Sequence, residues 1–117
     1  MSLVLALASA AAAAPGLHPV RISAPAATGE PKEVVVLADL EAVKIVAITL
    51  RAGTPLPEHQ APVPVTIEAA FGRATLSVGG VPTELAPGSF VVLDANTPHA
   101  VAPIGAEPVT ILVHHHR

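Results

Sequence analysis

Eight short runs of apolar, mostly β-branched residues follow one another along the chain, and this pattern constrains the fold more than any other feature. They recur about every 8 to 12 residues and are separated by turn residues, which is the signature of an all-β sandwich or barrel. We therefore predict an all-β domain of about eight strands. The runs are 33-37, 43-51, 63-71, 73-78, 81-85, 89-93, 99-102 and 108-114.

Alternation of apolar and polar residues within these runs predicts one buried face for each strand. Val65, Ile67 and Phe71 share one parity in their run, and Leu76 belongs to the apolar set of the next. A nearly closed antiparallel sheet with small Ala residues on its inward face would leave space inside. We predict a ligand pocket there, lined by these four residues and Phe90.

Turn residues between the runs support this arrangement. Gly79 and Gly80 separate two apolar runs, and both positions can take the positive φ that a two-residue hairpin requires. Pro87 and Gly88 predict a second turn before the run at 89-93.

Composition excludes several classes of function. Apolar residues make up 51% of the 117 residues and charged residues 13%, which is enough for the core of one domain. The net charge is -3 and no basic run occurs, so we expect no nucleic-acid partner. The chain has no Trp, no Tyr and no Cys, which leaves His, Asp and Glu for chemistry.

The N-terminal third divides into two segments before the predicted domain at 33-117. Residues 1-15 are rich in Ala and predict either a helix, in a cytoplasmic protein, or an export signal that lacks the usual positive leading segment. The stretch is too short to span a membrane, which takes about 20 residues. Residues 16-32 carry prolines at a spacing that predicts an extended arm.

Two histidines, His59 and His99, lie beside Pro-rich turns at the beginnings of predicted strands. In the first of these regions, Gly53, His59 and Gly72 have the spacing of the first motif of the cupin family. In the second, Gly88 and His99 have the spacing of the second motif. The sequence over about 33 to 114 thus resembles a small single-domain bacterial cupin, and the resemblance implies a double-stranded β-helix, or jelly-roll barrel.

Several positions depart from the family motifs. Ala61 occupies the place of a second His, Val65 that of the Glu and Pro103 that of the Asn. Asp94 replaces a Pro, and Asn96 replaces a Gly; this last change is mild because Asn also tolerates a left-handed backbone.

The resemblance implies a divalent transition metal, such as Zn, Mn, Fe or Ni, held by three His and one Glu. Only His59 and His99 remain at those positions, and two neutral imidazoles rarely hold an ion against water and buffer. Glu58, Gln60 and Glu68 have the wrong strand parity to replace the missing ligands without a β-bulge. We therefore predict a weak or vestigial metal site at His59 and His99.

The consecutive histidines His114, His115 and His116 follow the last apolar run directly. They predict a frayed strand end, with a purification remnant or a weak metal site as the alternatives.

Three functions stay open at this point. The first is a small-molecule-binding barrel with His59 and His99 at the rim of its pocket. The second is a metal-dependent cupin enzyme of the oxygenase or isomerase type. The third is a structural or assembly module that forms a homodimer through residues 16 to 36, although a homodimer fits all three. The sequence does not decide whether any reaction is catalysed.

Overall fold

The computed structural model describes residues 14–117, and in this part of the chain nine strands form and no helix does. Most of the Ala-rich segment lies outside the described residues. Residues 14–117 therefore contain no helix long and apolar enough to cross a membrane. The strands are β1 (Lys32–Asp39), β2 (Val43–Leu50), β3 (Leu56–His59), β4 (Val65–Phe71), β5 (Ala74–Val78), β6 (Val81–Leu85), β7 (Phe90–Leu93), β8 (His99–Pro103) and β9 (Val109–His116).

The strands form two antiparallel sheets with the predicted all-β jelly-roll architecture. The five-stranded sheet has the order β1-β2-β9-β4-β7, and the four-stranded sheet has the order β3-β8-β5-β6. Strands distant in sequence are neighbours in both sheets, so the chain crosses repeatedly between them. We call the face of each sheet that is turned towards the other sheet its inner face. The prediction of an all-β jelly-roll fold is confirmed.

The inner faces meet in a closely packed core. Alternate residues of β4 and β5 supply part of it, because successive side chains of a strand point to opposite faces. The larger fully buried side chains are Leu50, Ile67, Leu76, Leu85, Val101, Val109 and Ile111.

One strand, β3, was not among the eight predicted runs. Pro57 lies within it, and a proline argues against a central strand because it cannot donate to the ladder. The structure places β3 at the edge of the four-stranded sheet, where proline is tolerated. A register shift between Leu56 and His59 further interrupts its pairing with β8.

Three glycines occupy positions that a residue with a side chain would not tolerate well. Gly79 and Gly80 both have positive φ, of 56° and 80°, and join β5 to β6 as the predicted two-residue hairpin. Gly72 also has a positive φ, and a Cβ there would lie 2.4 Å from the carbonyl oxygen of Pro108. A side chain at this position would therefore displace the segment that enters β9.

The Pro-rich arm is extended and forms no strand in the described residues that precede β1. Arg51, at the end of β2, holds its last part. The guanidinium donates to the carbonyl oxygens of Ala26 at 3.1 Å and Glu30 at 2.6 Å, and it also pairs with the carboxylate of Glu33.

The C-terminal histidines lie in a central strand, so the expectation of a frayed end is wrong. Strand β9 extends to His116 and pairs with β2 on one side and with β4 on the other. Beyond it, Arg117 donates to the Asp39 carboxylate at 2.7 Å. The terminus is held because ladder hydrogen bonds on both sides continue to the end of the strand.

Candidate functional site

His59 and His99 are brought together at one end of the four-stranded sheet. They are directly opposite each other in the antiparallel pairing of β3 with β8, so their side chains lie on the same face. The ring centroids are 4.3 Å apart and the ring planes are tilted by 57°. Since His99 is only 3% exposed while His59 is exposed, the pair runs from the core to the rim of the barrel.

Backbone carbonyls select the same neutral tautomer for both rings. Nδ1 of His59 donates to the carbonyl oxygen of Pro57 at 2.9 Å, and Nδ1 of His99 donates to that of Thr97 at 2.8 Å. A carbonyl oxygen only accepts hydrogen bonds, so the proton of each neutral ring belongs on Nδ1. Each Nε2 then carries a lone pair that can accept a hydrogen bond or bind a Lewis acid.

Burial lowers the pKa of His99, because desolvation disfavours the charged imidazolium. The hydrogen bond to Thr97 opposes this shift, and the nearby His59 ring reinforces it. The inner ring of the pair is therefore neutral around pH 7.

The two motif regions are also joined by a backbone hydrogen bond. Asn96 has a φ of 61°, the left-handed conformation expected for the residue that replaces the motif glycine. Its N–H donates to the carbonyl oxygen of Ala61 at 2.7 Å. This bond ties the turn before His99 to the segment that follows His59, and thereby holds the two strand ends together.

The other residues predicted to line a pocket have three different environments. Val65, Ile67 and Leu76 belong to the packed core, each at most 2% exposed. Phe71 is half-buried at the end of β4. Phe90 is 61% exposed and lies opposite Glu68, on the outer face of the five-stranded sheet and away from the histidine pair.

The residues at this site do not fit the four-ligand metal centre that the cupin resemblance implies. Ala61 and Val65 carry no donor atoms, and Glu68 lies on the outer face of its sheet, 3.9 Å from Nε2 of His114. Across residues 14–117 no group of three His, Asp, Glu or Cys side chains is placed to hold an ion. Two imidazoles fall short of the three protein ligands that an open zinc site normally has.

Sequence reasoning missed one residue at this end of the barrel. His115 has the same parity in β9 as Ile111 and Val113, so it lies on the inner face, opposite Val65 in the register. Its Nδ1 is buried and has no hydrogen-bond partner among residues 14–117. The alternation of β9 would have revealed this if the strand had been expected to continue through the histidines.

Comparisons with known proteins agree with this architecture. The family model described as the cupin domain matches residues 48–115. A cupin from Methanocaldococcus jannaschii, with a double-stranded β-helix fold, superposes with a TM-score of 0.71 at 23% identity, covering 84% of this chain and 88% of that one.

Two further named proteins share the fold at lower identity. The DMSP lyase DddQ of Ruegeria pomeroyi has a TM-score of 0.68 at 22% identity, over 74% of this chain and 47% of that one. KdgF of a Halomonas species has a TM-score of 0.64 at 18% identity, over 74% and 80% of the two chains. At such identities the likeness shows the fold alone, and no curated protein matches the chain. Because the cupin model covers more than half of the sequence, the chain belongs to the cupin family.

Proposed function

We propose that this protein is a small-molecule-binding cupin barrel whose guest is recognised by the Nε2 atoms of His59 and His99. The observation that carries the proposal is the pairing of both Nδ1 atoms with backbone carbonyls, at 2.9 and 2.8 Å. This pairing aligns two rings with the same tautomer at a single strand end. A pair held only as a structural remnant has no need for matched tautomers on two separate strands.

The chemistry of the guest follows from the two lone pairs. Two adjacent acceptors favour a group that donates hydrogen bonds, such as a hydroxyl, or a Lewis acid. A divalent ion held by these two nitrogens alone would be bound weakly, as a vestige of the family site. The alternative of a metal-dependent oxygenase or isomerase needs at least one more ligand, and the described residues supply none in place.

The test has two measurements, which are the tautomer of each histidine ring and the binding of Zn²⁺ as a probe. Long-range ¹H–¹⁵N correlation spectra should show the Nδ1–H tautomer for both rings. The Nε2 signals of both rings should then shift together as Zn²⁺ is added. The affinity should be weak, and EDTA should reverse the shift. The background for this titration is His114→Gln/His116→Gln, which removes two outer-face imidazoles that could bind the ion adventitiously. Adding His59→Ala and His99→Ala should abolish the response.

Two results would contradict the proposal. Protein that retains one equivalent of metal after dialysis against EDTA would support the enzyme alternative. An Nε2–H tautomer on both rings, with no response to Zn²⁺, would leave the pair as ordinary polar groups.

A second candidate, a homodimeric assembly module, is supported by the distribution of exposed apolar side chains. Of ten such side chains within residues 14–117, seven lie between positions 17 and 40, on the arm, on β1 and just after it. Val34, Val35 and Val36 are each more than half exposed on β1, which is an edge strand. An exposed apolar edge favours pairing with a second copy. The solution mass of Val34→Lys/Val36→Lys tests this: a dimer reduced to a monomer supports it, and an unchanged mass removes β1 from the interface.

A further inference from the structure

A third imidazole lies at the same end of the barrel as the His59 and His99 pair. Strand β4 begins at Val65, only a short connection after β3 ends at His59, and His115 is opposite Val65 in the register. The N–H of His116 donates to the carbonyl oxygen of Pro64 at 3.0 Å, which ties the end of β9 to that connection. His115 and the histidine pair therefore lie on inner faces of opposite sheets, at one end of the sandwich.

In the described part of the chain, Nδ1 of His115 lacks the backbone partner that Nδ1 of His59 and Nδ1 of His99 have. Its Nδ1 is buried and makes no hydrogen bond within residues 14–117. Burial lowers the pKa of His115, the nearby carbonyl of Lys44 partly offsets this, and the charges of Lys44 and Arg117 lower it further. A buried ring nitrogen without a partner costs free energy unless a ligand or water satisfies it.

Lys44 supplies a positive charge beside this ring. It is directly opposite His115 in the pairing of β2 with β9, and so has the same inner-face parity. Its other cross-strand neighbour is Asp39, whose carboxylate accepts a hydrogen bond from Arg117 at 2.7 Å. Within residues 14–117, Lys44 makes no ion pair, so its ammonium remains available to an anion.

We propose that His115 and Lys44 form the second wall of the His59 and His99 site, and that the site takes a small hydroxycarboxylate. The ligand carboxylate accepts hydrogen bonds from the Lys44 ammonium and the His115 ring, and its hydroxyl donates to an Nε2 of the histidine pair. This inference rests on the proposed function, because it needs the lone pairs of His59 and His99 to be available. It adds the chemical class of the guest and two residues outside the cupin motifs.

The experiment uses lactate as the probe and lactamide as its neutral counterpart. Histidine ring signals are followed by NMR in the full chain. Lactate should shift the rings of His115, His59 and His99 along one saturating curve. Lactamide, which keeps the hydroxyl but lacks the charge, should bind at least about tenfold more weakly, as expected for the loss of a charge-assisted hydrogen bond.

Two matched variants separate this site from general charge effects. Lys44→Gln should weaken lactate binding about tenfold or more. His114→Gln, on the outer face of the same strand, should leave it within about twofold, a difference of less than half a kilocalorie per mole. Thermal unfolding of each variant shows whether it is folded, and lactate titrations are compared only between folded proteins.

Three outcomes would overturn the inference. One is lactate binding that is unchanged in Lys44→Gln. Another is that lactate shifts the ring signals of His18, His114 and His116 as much as it shifts those of the rings on the inner faces, which are His59, His99 and His115. The third is a shift at His59 and His99 without His115, which would leave the proposed function standing while removing the second wall. If instead Zn²⁺ does not bind and neither His59 nor His99 shows the Nδ1–H tautomer, the proposed function itself is refuted.

Discussion

The two faces of β9 place neighbouring residues of one strand in different surroundings. Its inner face carries Ile111, which is fully buried, and ends with His115, whose buried Nδ1 has no partner in the part of the chain that the structure describes. Its outer face carries Thr110, which bonds the hydroxyl of Thr49, and ends with His114 and His116. The residues alternate along the sequence, yet one set faces the core and the candidate site while the other faces polar partners.

Histidines on the two sides of the five-stranded sheet illustrate the same lesson. On the outer face, Nε2 of His114 lies 3.9 Å from the Glu68 carboxylate, and Nε2 of His116 lies 2.8 Å from the hydroxyl of Thr66. The His116 ring is therefore hydrogen-bonded to a side chain of β4, and the His114 ring lies near another. The inner pair, His59 and His99, instead uses Nδ1 on backbone carbonyls and leaves Nε2 available. Location, and not residue type, separates candidate ligands from ordinary surface groups.

The largest effect should come from truncating the inner face. Ile111→Ala should lower the free energy of unfolding by about 2 to 5 kcal/mol, because it removes packed side-chain atoms and leaves a cavity. Val92→Ala, which trims a residue 62% exposed on the outer face of β7, should change it by no more than about 0.5 kcal/mol. Urea denaturation measures both values, and similar costs for the two variants would show that the outer face is covered as well.

A smaller effect is expected where the outer face is locally buried. Thr110 is 4% exposed, and its hydroxyl lies 2.9 Å from that of Thr49. Thr110→Val should cost about 1 kcal/mol, because it leaves the Thr49 hydroxyl without its partner. The double variant Thr49→Val/Thr110→Val should recover most of that loss in the same denaturation assay. A double variant less stable than the single one would mean that the hydroxyls have other partners.

The smallest effect should be a pH dependence of the free energy of unfolding that comes from a buried inner-face histidine and not from an outer-face one. The pKa of His99 is lowered by burial, so the unfolded chain binds more protons than the folded one between the folded pKa and about 6.5. The stability from the neutral ring is complete above about pH 6.5 and is lost as the pH falls through the folded pKa. Urea midpoints of His99→Gln should therefore fall less on acidification than those of the wild type. His114→Gln, on the outer face, is the matched control, and equal slopes for wild type and His99→Gln would contradict the assignment.

Much of the fold could be predicted because it depends on local pattern. The hairpin at Gly79 and Gly80 and the left-handed turn at Asn96 were both readable, since each follows from what a residue's own backbone tolerates. β3 was missed because Pro57 is unfavourable in a strand, and only the position of β3 at a sheet edge makes that proline harmless.

The candidate site was predictable only in part. The motif spacing singled out His59 and His99, and the structure brings their rings together. For His115 the sequence predicts a frayed end, because nothing in the local sequence shows that β9 has neighbours on both sides. The sequence predicts that Phe90 lines the pocket, but the register of β7 with β4 turns it to the outer face.

The amino-acid sequence alone determined that this chain forms an all-β cupin domain and that His59 and His99 lie beside Pro-rich turns. Those properties depend on residue type, spacing and backbone preference, which act over a few positions. Only the tertiary structure decided that both rings use Nδ1 on backbone carbonyls, and that His115 and Lys44 share an inner face at the same end. Such relations depend on strand register and sheet order, and pairings between residues far apart in the chain set both.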